Sequence, residues 1–122
     1  MKSSDKFPEI WDVKYTDVAE FDLDGIYDYI SENLTEPDIA VKQINRIIDA
    51  VDKLDQQPLR HRLYDDEPWR AIGLRVMVVD NYSVFYLPVA IQKTVWIIRI
   101  MYSRRDFNQH LKTPNDYDLE IQ

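Results

Sequence analysis

The stretch "GLRVMVVDNYSVFYLPVAIQKTVWIIRIMYSRRDF", residues 73–107, decides the fold. β-Branched and aromatic residues dominate it, and turn signals bound its apolar runs. "LRVMVV" and "YSVFYL" flank Asp80-Asn81, a pair that tolerates the positive backbone angles of a two-residue hairpin turn. With the turn there, Val79 faces Tyr82 and the pairing runs back to Arg75 opposite Tyr86. Alternation then puts Arg75, Met77, Val79, Tyr82, Val84 and Tyr86 on one face, and Leu74, Val76, Val78, Ser83, Phe85 and Leu87 on the other. "PVAIQK" supplies a second turn, and residues 94–102 form the third strand of a meander that closes on Arg104-Arg105.

Upstream, "IWDVKY" (10–15) alternates apolar and polar residues, as a short strand does. Thr16 or Asp17 offers a helix cap, with Glu20 placed for a capping box. Ala19, Leu23, Ile26, Ile30 and Leu34 then form one helical stripe, weakened at Gly25. The segment "TEPDIAVKQINRIIDAVDKLDQQP" (35–58) predicts a second helix, with Thr35 as cap, Pro37 in the first turn and Pro58 as the stop. Its stripe is Ala40, Ile44, Ile47, Val51 and Leu54, widened by Val41 and Ile48. Residues 58–69 read as a polar loop, a short helix follows the arginine pair through Leu111, and "TPNDYDLEIQ" (113–122) reads as a polar tail.

Strand, helix, helix, meander is an α+β order. The expected fold is two N-terminal helices packed on one face of a small, largely antiparallel four-stranded sheet. Its other face is bare, with Arg75 and Tyr86 candidates to lie on it. Residues 1–122 suit one domain, with a core of about 10–111 and flexible tails at 1–9 and 112–122.

The absence of cysteine excludes disulfides and thiolate metal sites. No apolar run has the length of a membrane span or the pattern of a signal peptide, so a cytoplasmic protein without membrane partners is expected. The formal net charge of −7 hides an asymmetry: the balance is −8 over residues 1–59, +4 over 60–105 and −3 over 106–122. Seven of the eight cations in the middle segment are arginine, the side chain suited to bidentate contacts with phosphate or carboxylate.

"DLDGIYDYISENLTEPDIAVKQINRIIDAVDKLDQQP", "GLRVMVVDNYSVFY" and "VWIIRIMYSRRDF" together resemble the RelE/ParE superfamily, the toxins of bacterial type II toxin–antitoxin modules. The resemblance spans about residues 10–111. Its most specific part is the ending Arg99-Ile100, Tyr102 and Arg104-Arg105-Asp106, in which Tyr102 departs from a common His and Ser103 from a common Gly. The resemblance implies a toxin held inactive by a cognate antitoxin in a toxin–antitoxin hetero-oligomer, with no cofactor. It leaves two targets: the ribosome and its mRNA, cleaved without metal, or DNA gyrase, poisoned without a nuclease site. A third alternative is a degenerate member that only binds antitoxin.

Metal-free RNA cleavage needs a base, an acid and cations that stabilise charge on phosphorus. By position in the family, Arg75 and Arg105 would supply the cations. His61 would serve as base or acid, because imidazole titrates near neutral pH. Tyr86 would position substrate or donate a proton, while Arg60, Arg62 and Arg104 would bind substrate. The register of the C-terminal acid–base residue of nuclease relatives falls at Leu111, with His110 just before it. "DDE" at 65–67 reads as a hydrated loop rather than a metal site. Trp11 and Trp96 read as packing residues, and Trp69 as open to stacking.

Overall fold

The computed structural model describes residues 9–105, 107–117 and 119. β1 (Asp12–Tyr15) leads to α1 (Asp17–Asp28), whose last turn widens into a π turn over Tyr29–Asn33, and then to α2 (Pro37–Asp52). β2 (Arg62–Leu63) and α3 (Trp69–Ile72) precede the meander of β3 (Arg75–Val79), β4 (Tyr82–Val89) and β5 (Thr94–Tyr102), and α4 (Phe107–Leu111) follows it.

The hairpin register agrees with the alternation: Val79 lies opposite Tyr82 and Arg75 opposite Tyr86. Asp80 takes the positive angle, φ 54°, and its carboxylate accepts from Gln43 and Arg46 of α2. Those bonds hold the Asp80 carboxyl below its usual range. Thr16, not Asp17, caps α1: its hydroxyl accepts from Ala19 N and donates to the Ile97 and Ile98 carbonyls of β5. Thr35 does not cap α2. It sits at φ 51° and Glu36 occupies the cap position, because Pro37 forces the residue before it out of helical geometry.

The sheet differs from the expectation. It has five strands in the order β1-β5-β4-β3-β2 and is mixed, since β1 pairs with β5 in parallel. β1 and β5 are separated by both helices and by β2–β4, a connection long enough for two neighbouring strands to run the same way. The fifth strand is the short β2, formed inside the expected loop by pairing with Arg75 and Val76.

Neither face of the sheet is bare. Ala19, Ile47, Val51 and Leu54 of the helical layer pack on Met77, Val84, Tyr86, Val95, Ile97 and Ile100. On the far side, Leu74, Val76, Phe85, Leu87, Trp96, Ile98 and Met101 are roofed by Tyr64, Trp69, Leu111 and Tyr117, with Phe107 and Leu119 against them. Part of the expected tail is thus core, because an apolar sheet face needs a cover and Tyr117, with Leu119 against it, helps provide it. The tail residues 1–8, 118 and 120–122 lie outside the described residues. No described helix is long and apolar enough to cross a membrane.

Arg99 joins the layers. β1 stops at Tyr15 opposite Ile97, and a bulge at Phe85/Tyr86 shifts the register of β4 on β5. Beyond that point Asp22 of α1 takes over the edge of β5: its carboxylate accepts from Arg99 Nε at 2.7 Å, Arg99 Nη2 at 2.9 Å and the Ile100 amide at 2.9 Å. Arg99 Nη1 donates to the His110 carbonyl at 2.6 Å. The Asp22 hydrogen bonds and charge hold the Arg99 guanidinium protonated above its usual range.

Candidate functional site

Four of the seven sequence candidates meet at one end of the sheet, where the chain leaves α2 and enters β2. Tyr86 lies in the middle of the helix-covered face with no exposed surface, and its hydroxyl donates to the Pro58 carbonyl at 2.7 Å. Arg75, opposite it in register, donates through Nη1 to the carbonyls of Leu59 and His61 at 3.0 and 2.6 Å. Arg60 folds back on the end of α2 and donates to the carbonyls of Lys53, Gln56 and Gln57. A helix C-terminus leaves carbonyls unpaired, and a guanidinium satisfies several at once. The expectation of Arg75 and Tyr86 on a bare face is corrected: both belong to the face the helices cover.

His61 completes the cluster. Its ring stands edge-on to that of Tyr86 at 6.1 Å. Burial, and secondly the Arg60 charge, push its pKa below 6.5, so the imidazole is neutral at neutral pH. Its Nε2 and Arg75 Nε are buried without a hydrogen-bond partner. This is the one feature of the cluster that invites chemistry, since a neutral imidazole nitrogen can accept a proton. The Tyr86 phenol is poorly placed to lose one, because burial pushes it up to about 12.

The shift has a consequence for stability. Tyr15 and Tyr86 both titrate near 12 in the fold, chiefly because burial disfavours the phenolate, against 10.0 for an ordinary tyrosine. Between those values the unfolded chain has released protons that the folded chain retains, so unfolding becomes easier as pH rises. Stability is therefore expected to be intact below pH 10.0 and to fall through the window up to about 12. Tyr86 alone contributes a slope on the order of 1 kcal/mol per pH unit. Urea unfolding at stepped alkaline pH checks this, and Tyr86→Phe should flatten the slope.

The other three candidates stand apart. Arg62 is exposed, donates to the Leu63 carbonyl and lies 3.9 Å from Asp65. Arg104 and Arg105 are exposed in the turn after β5, which Ser103 N pins to the Asn81 carbonyl and a 2.9 Å contact ties to Ser83 through the two hydroxyls. Tyr102 leads into that turn, its ring 5.9 Å from that of Tyr82. Asp106 lies outside the described residues. Arg75 is level with Tyr86 and Ile97 across the sheet, whereas Arg105 follows Tyr102. Along the strand direction the five residues from Ile97 to Tyr102 rise by roughly 16 Å, so the backbone of Arg105 lies beyond one end of the sheet while that of Arg75 lies level with the middle of β5.

Trp69 is 2% exposed and donates through Nε1 to the Lys112 carbonyl at 2.7 Å, so its ring is packing rather than a stacking platform. Among the described residues no group of three His, Asp or Glu could hold a metal ion. Sequence reasoning missed Asp22. The available signal was an acid set three and four residues from Ala19 and Ile26, inside the apolar stripe of α1.

A family model described as the ParE toxin of the type II toxin–antitoxin system parDE matches residues 13–107. Among solved structures, the chain is similar to one from the chromosomal ParDE toxin–antitoxin system of P. aeruginosa. The two are 27% identical over 77% of this chain and 97% of that one, with a TM-score of 0.63. A likeness of fold alone links it to the RelBE2 toxin–antitoxin complex of Mycobacterium tuberculosis: 20% identity, 76% of this chain, 91% of that one and a TM-score of 0.54. No curated protein matches.

Proposed function

Because this chain belongs to the ParE toxin family of type II toxin–antitoxin systems, we propose that it arrests growth by poisoning DNA gyrase, without nuclease activity, and that a cognate antitoxin binds and silences it. The observation that carries this reading is the use the fold makes of its would-be catalytic groups. Arg75 and Tyr86 donate to the 58–61 backbone, and Arg105 stands exposed in the turn after β5. With Arg75 Nη1 already given to two carbonyls of its own chain, this arginine is a poor clamp for the phosphoryl charge that RNA cleavage must stabilise, which favours the reading without a nuclease site. The formal charge of −7 also suits a protein target better than the phosphate-rich surface of a ribosome. Gyrase places the action in the cytoplasm, and the silent state is a toxin–antitoxin hetero-oligomer.

The alternative, ribosome-dependent mRNA cleavage, rests on the shielded His61 Nε2 beside Arg60, Arg75 and Tyr86. Controlled expression separates the two. The expected result is growth arrest with induction of the DNA-damage response while early translation continues, unchanged by Arg105→Ala. Rapid loss of translation, relieved by Arg75→Ala or Arg105→Ala in chains that still fold, would establish the nuclease instead. No growth defect from the wild-type chain would leave only a degenerate antitoxin-binding protein.

A further inference from the structure

Residues 57–61 lead from the end of α2 into β2, and several bonds of the fold hang on their backbone. Arg75 donates to the Leu59 and His61 carbonyls and Tyr86 to the Pro58 carbonyl, while Arg60 ties the same stretch back to Lys53, Gln56 and Gln57. Two features oppose this closed arrangement. Gln57 is held at φ 50°, ψ 54°, the left-handed region that a residue with a Cβ occupies only at a cost. His61 Nε2 and Arg75 Nε are both buried without a hydrogen-bond partner, so two orphaned polar atoms lie at one short segment. Leu59 is 58% exposed, and Arg60 and Arg62 are exposed as well. The segment is therefore a surface strap, able to lift without parting β3 from β4.

A proton on His61 Nε2 finds no acceptor in the closed strap. The charged and titratable groups around the ring are Arg60 on its own segment, Arg75 of β3, and Tyr86 of β4, whose ring stands edge-on to it. Among the described residues neither arginine is paired with a carboxylate, since both give their bonds to backbone carbonyls. Arg62, the next residue along, has Asp65 at 3.9 Å. An imidazolium would thus add a third positive charge beside two guanidiniums and bury an N–H with nothing to receive it. Burial, and secondly the Arg60 charge, accordingly hold the imidazole below its ordinary 6.5. A ring in solvent meets neither restraint, so the proton favours the state in which the ring has left.

We propose that residues 57–61 form an acid-released strap: protonation of His61 swings its ring into solvent, lifts the strap and uncovers Arg75 and Tyr86. The inference does not depend on the choice of target. Above 6.5 the strap is closed, because the imidazole is neutral whether the ring is in or out. As pH falls through 6.5 the open chain binds a proton that the closed chain does not, so the closed state loses ground. Opening takes the carbonyls of Leu59 and His61 from the Arg75 guanidinium and loosens the end of α2. The acidified toxin then presents a free guanidinium where the neutral one satisfies its own backbone.

Nuclear magnetic resonance of the full, isotope-labelled chain tests this from about pH 7.5 to about pH 5.5, the range in which histidine titrates and most carboxylates do not. The His61 ring should titrate below 6.5. The amides of residues 59–61 and the Arg75 Nε–H should change in step with it, while the amides of β4 and β5 stay as they are. His61→Gln, uncharged at every pH, should keep the strap closed throughout, and His110→Gln should open as the wild type does. Gln57→Gly removes the left-handed penalty; it should favour the closed strap roughly fivefold and move the opening to lower pH. The proposal is overturned if the His61 ring titrates at or above 6.5, or if the 59–61 amides ignore its titration. It is equally overturned if His61→Gln opens like the wild type, or if the whole sheet unfolds together with the strap.

Discussion

Replacing Asp22 with alanine is expected to lower folding stability by about 3–5 kcal/mol, the loss typical of removing one partner from a buried ion pair. Both side chains of the Asp22–Arg99 pair are only 13% exposed, so water resolvates the guanidinium left behind only in part. The Ile100 amide loses its acceptor as well, at a bulged edge where β1 offers no replacement. A domain of this size has only about 5–15 kcal/mol in hand. The variant should therefore melt far below the wild type or fail to fold. Asp22→Leu combined with Arg99→Met distinguishes charge from packing: an apolar replacement of the whole pair restores most of the stability if the uncompensated charge is the cause. Urea unfolding of all three chains checks this, and a loss under 1 kcal/mol for Asp22→Ala would refute the account of Arg99 as the joint between layers.

The second large effect is expected at Trp69. Trp69→Ala should cost about 3–5 kcal/mol, as buried tryptophan truncations do, because the indole roofs the sheet face away from the helices. It packs edge-on to Tyr117 at 5.6 Å and anchors the chain after α4 through the Lys112 carbonyl. Tyr117 in turn donates to the Leu111 carbonyl. Losing Trp69 should loosen the whole segment from Phe107 to Tyr117, and limited proteolysis should cut there first. Trp69→Phe should retain most of the packing and lose only the hydrogen bond, about 1 kcal/mol. Thermal unfolding that places the alanine and phenylalanine variants together would show that the hydrogen bond, not the roof, matters.

These two positions explain a family signature in physical terms. Arg99-Ile100 stands out in the sequence as part of a recurring ending, with no reason attached. In the fold, Arg99 reaches α1 on one side of the sheet and the α4 carbonyl on the other, and the Ile100 amide shares the same carboxylate. Arg75 has a comparable standing: its guanidinium fastens the 59–61 backbone on which the end of α2 depends.

What the sequence determined by itself is what local chemistry can dictate. The Asp80-Asn81 turn fixes the β3–β4 register, and the apolar members of the two residue sets named from it divide between the two core layers as alternation requires, except Val78, which is exposed. The stripes of α1 and α2, the Thr16 cap and the end of α2 before Pro58 follow from spacing and capping in the same way. Tertiary structure alone decided how the layers close. The parallel β1–β5 pairing, the two-residue β2 and the roof of Trp69, Leu111 and Tyr117 join residues from 12 to 82 positions apart, and no local pattern encodes such a meeting. The candidate site turned on the same point. Residue type nominated Arg75, Tyr86, His61 and Arg105, but whether a guanidinium faces a ligand or a carbonyl of its own chain depends on which backbone groups the fold leaves unpaired beside it.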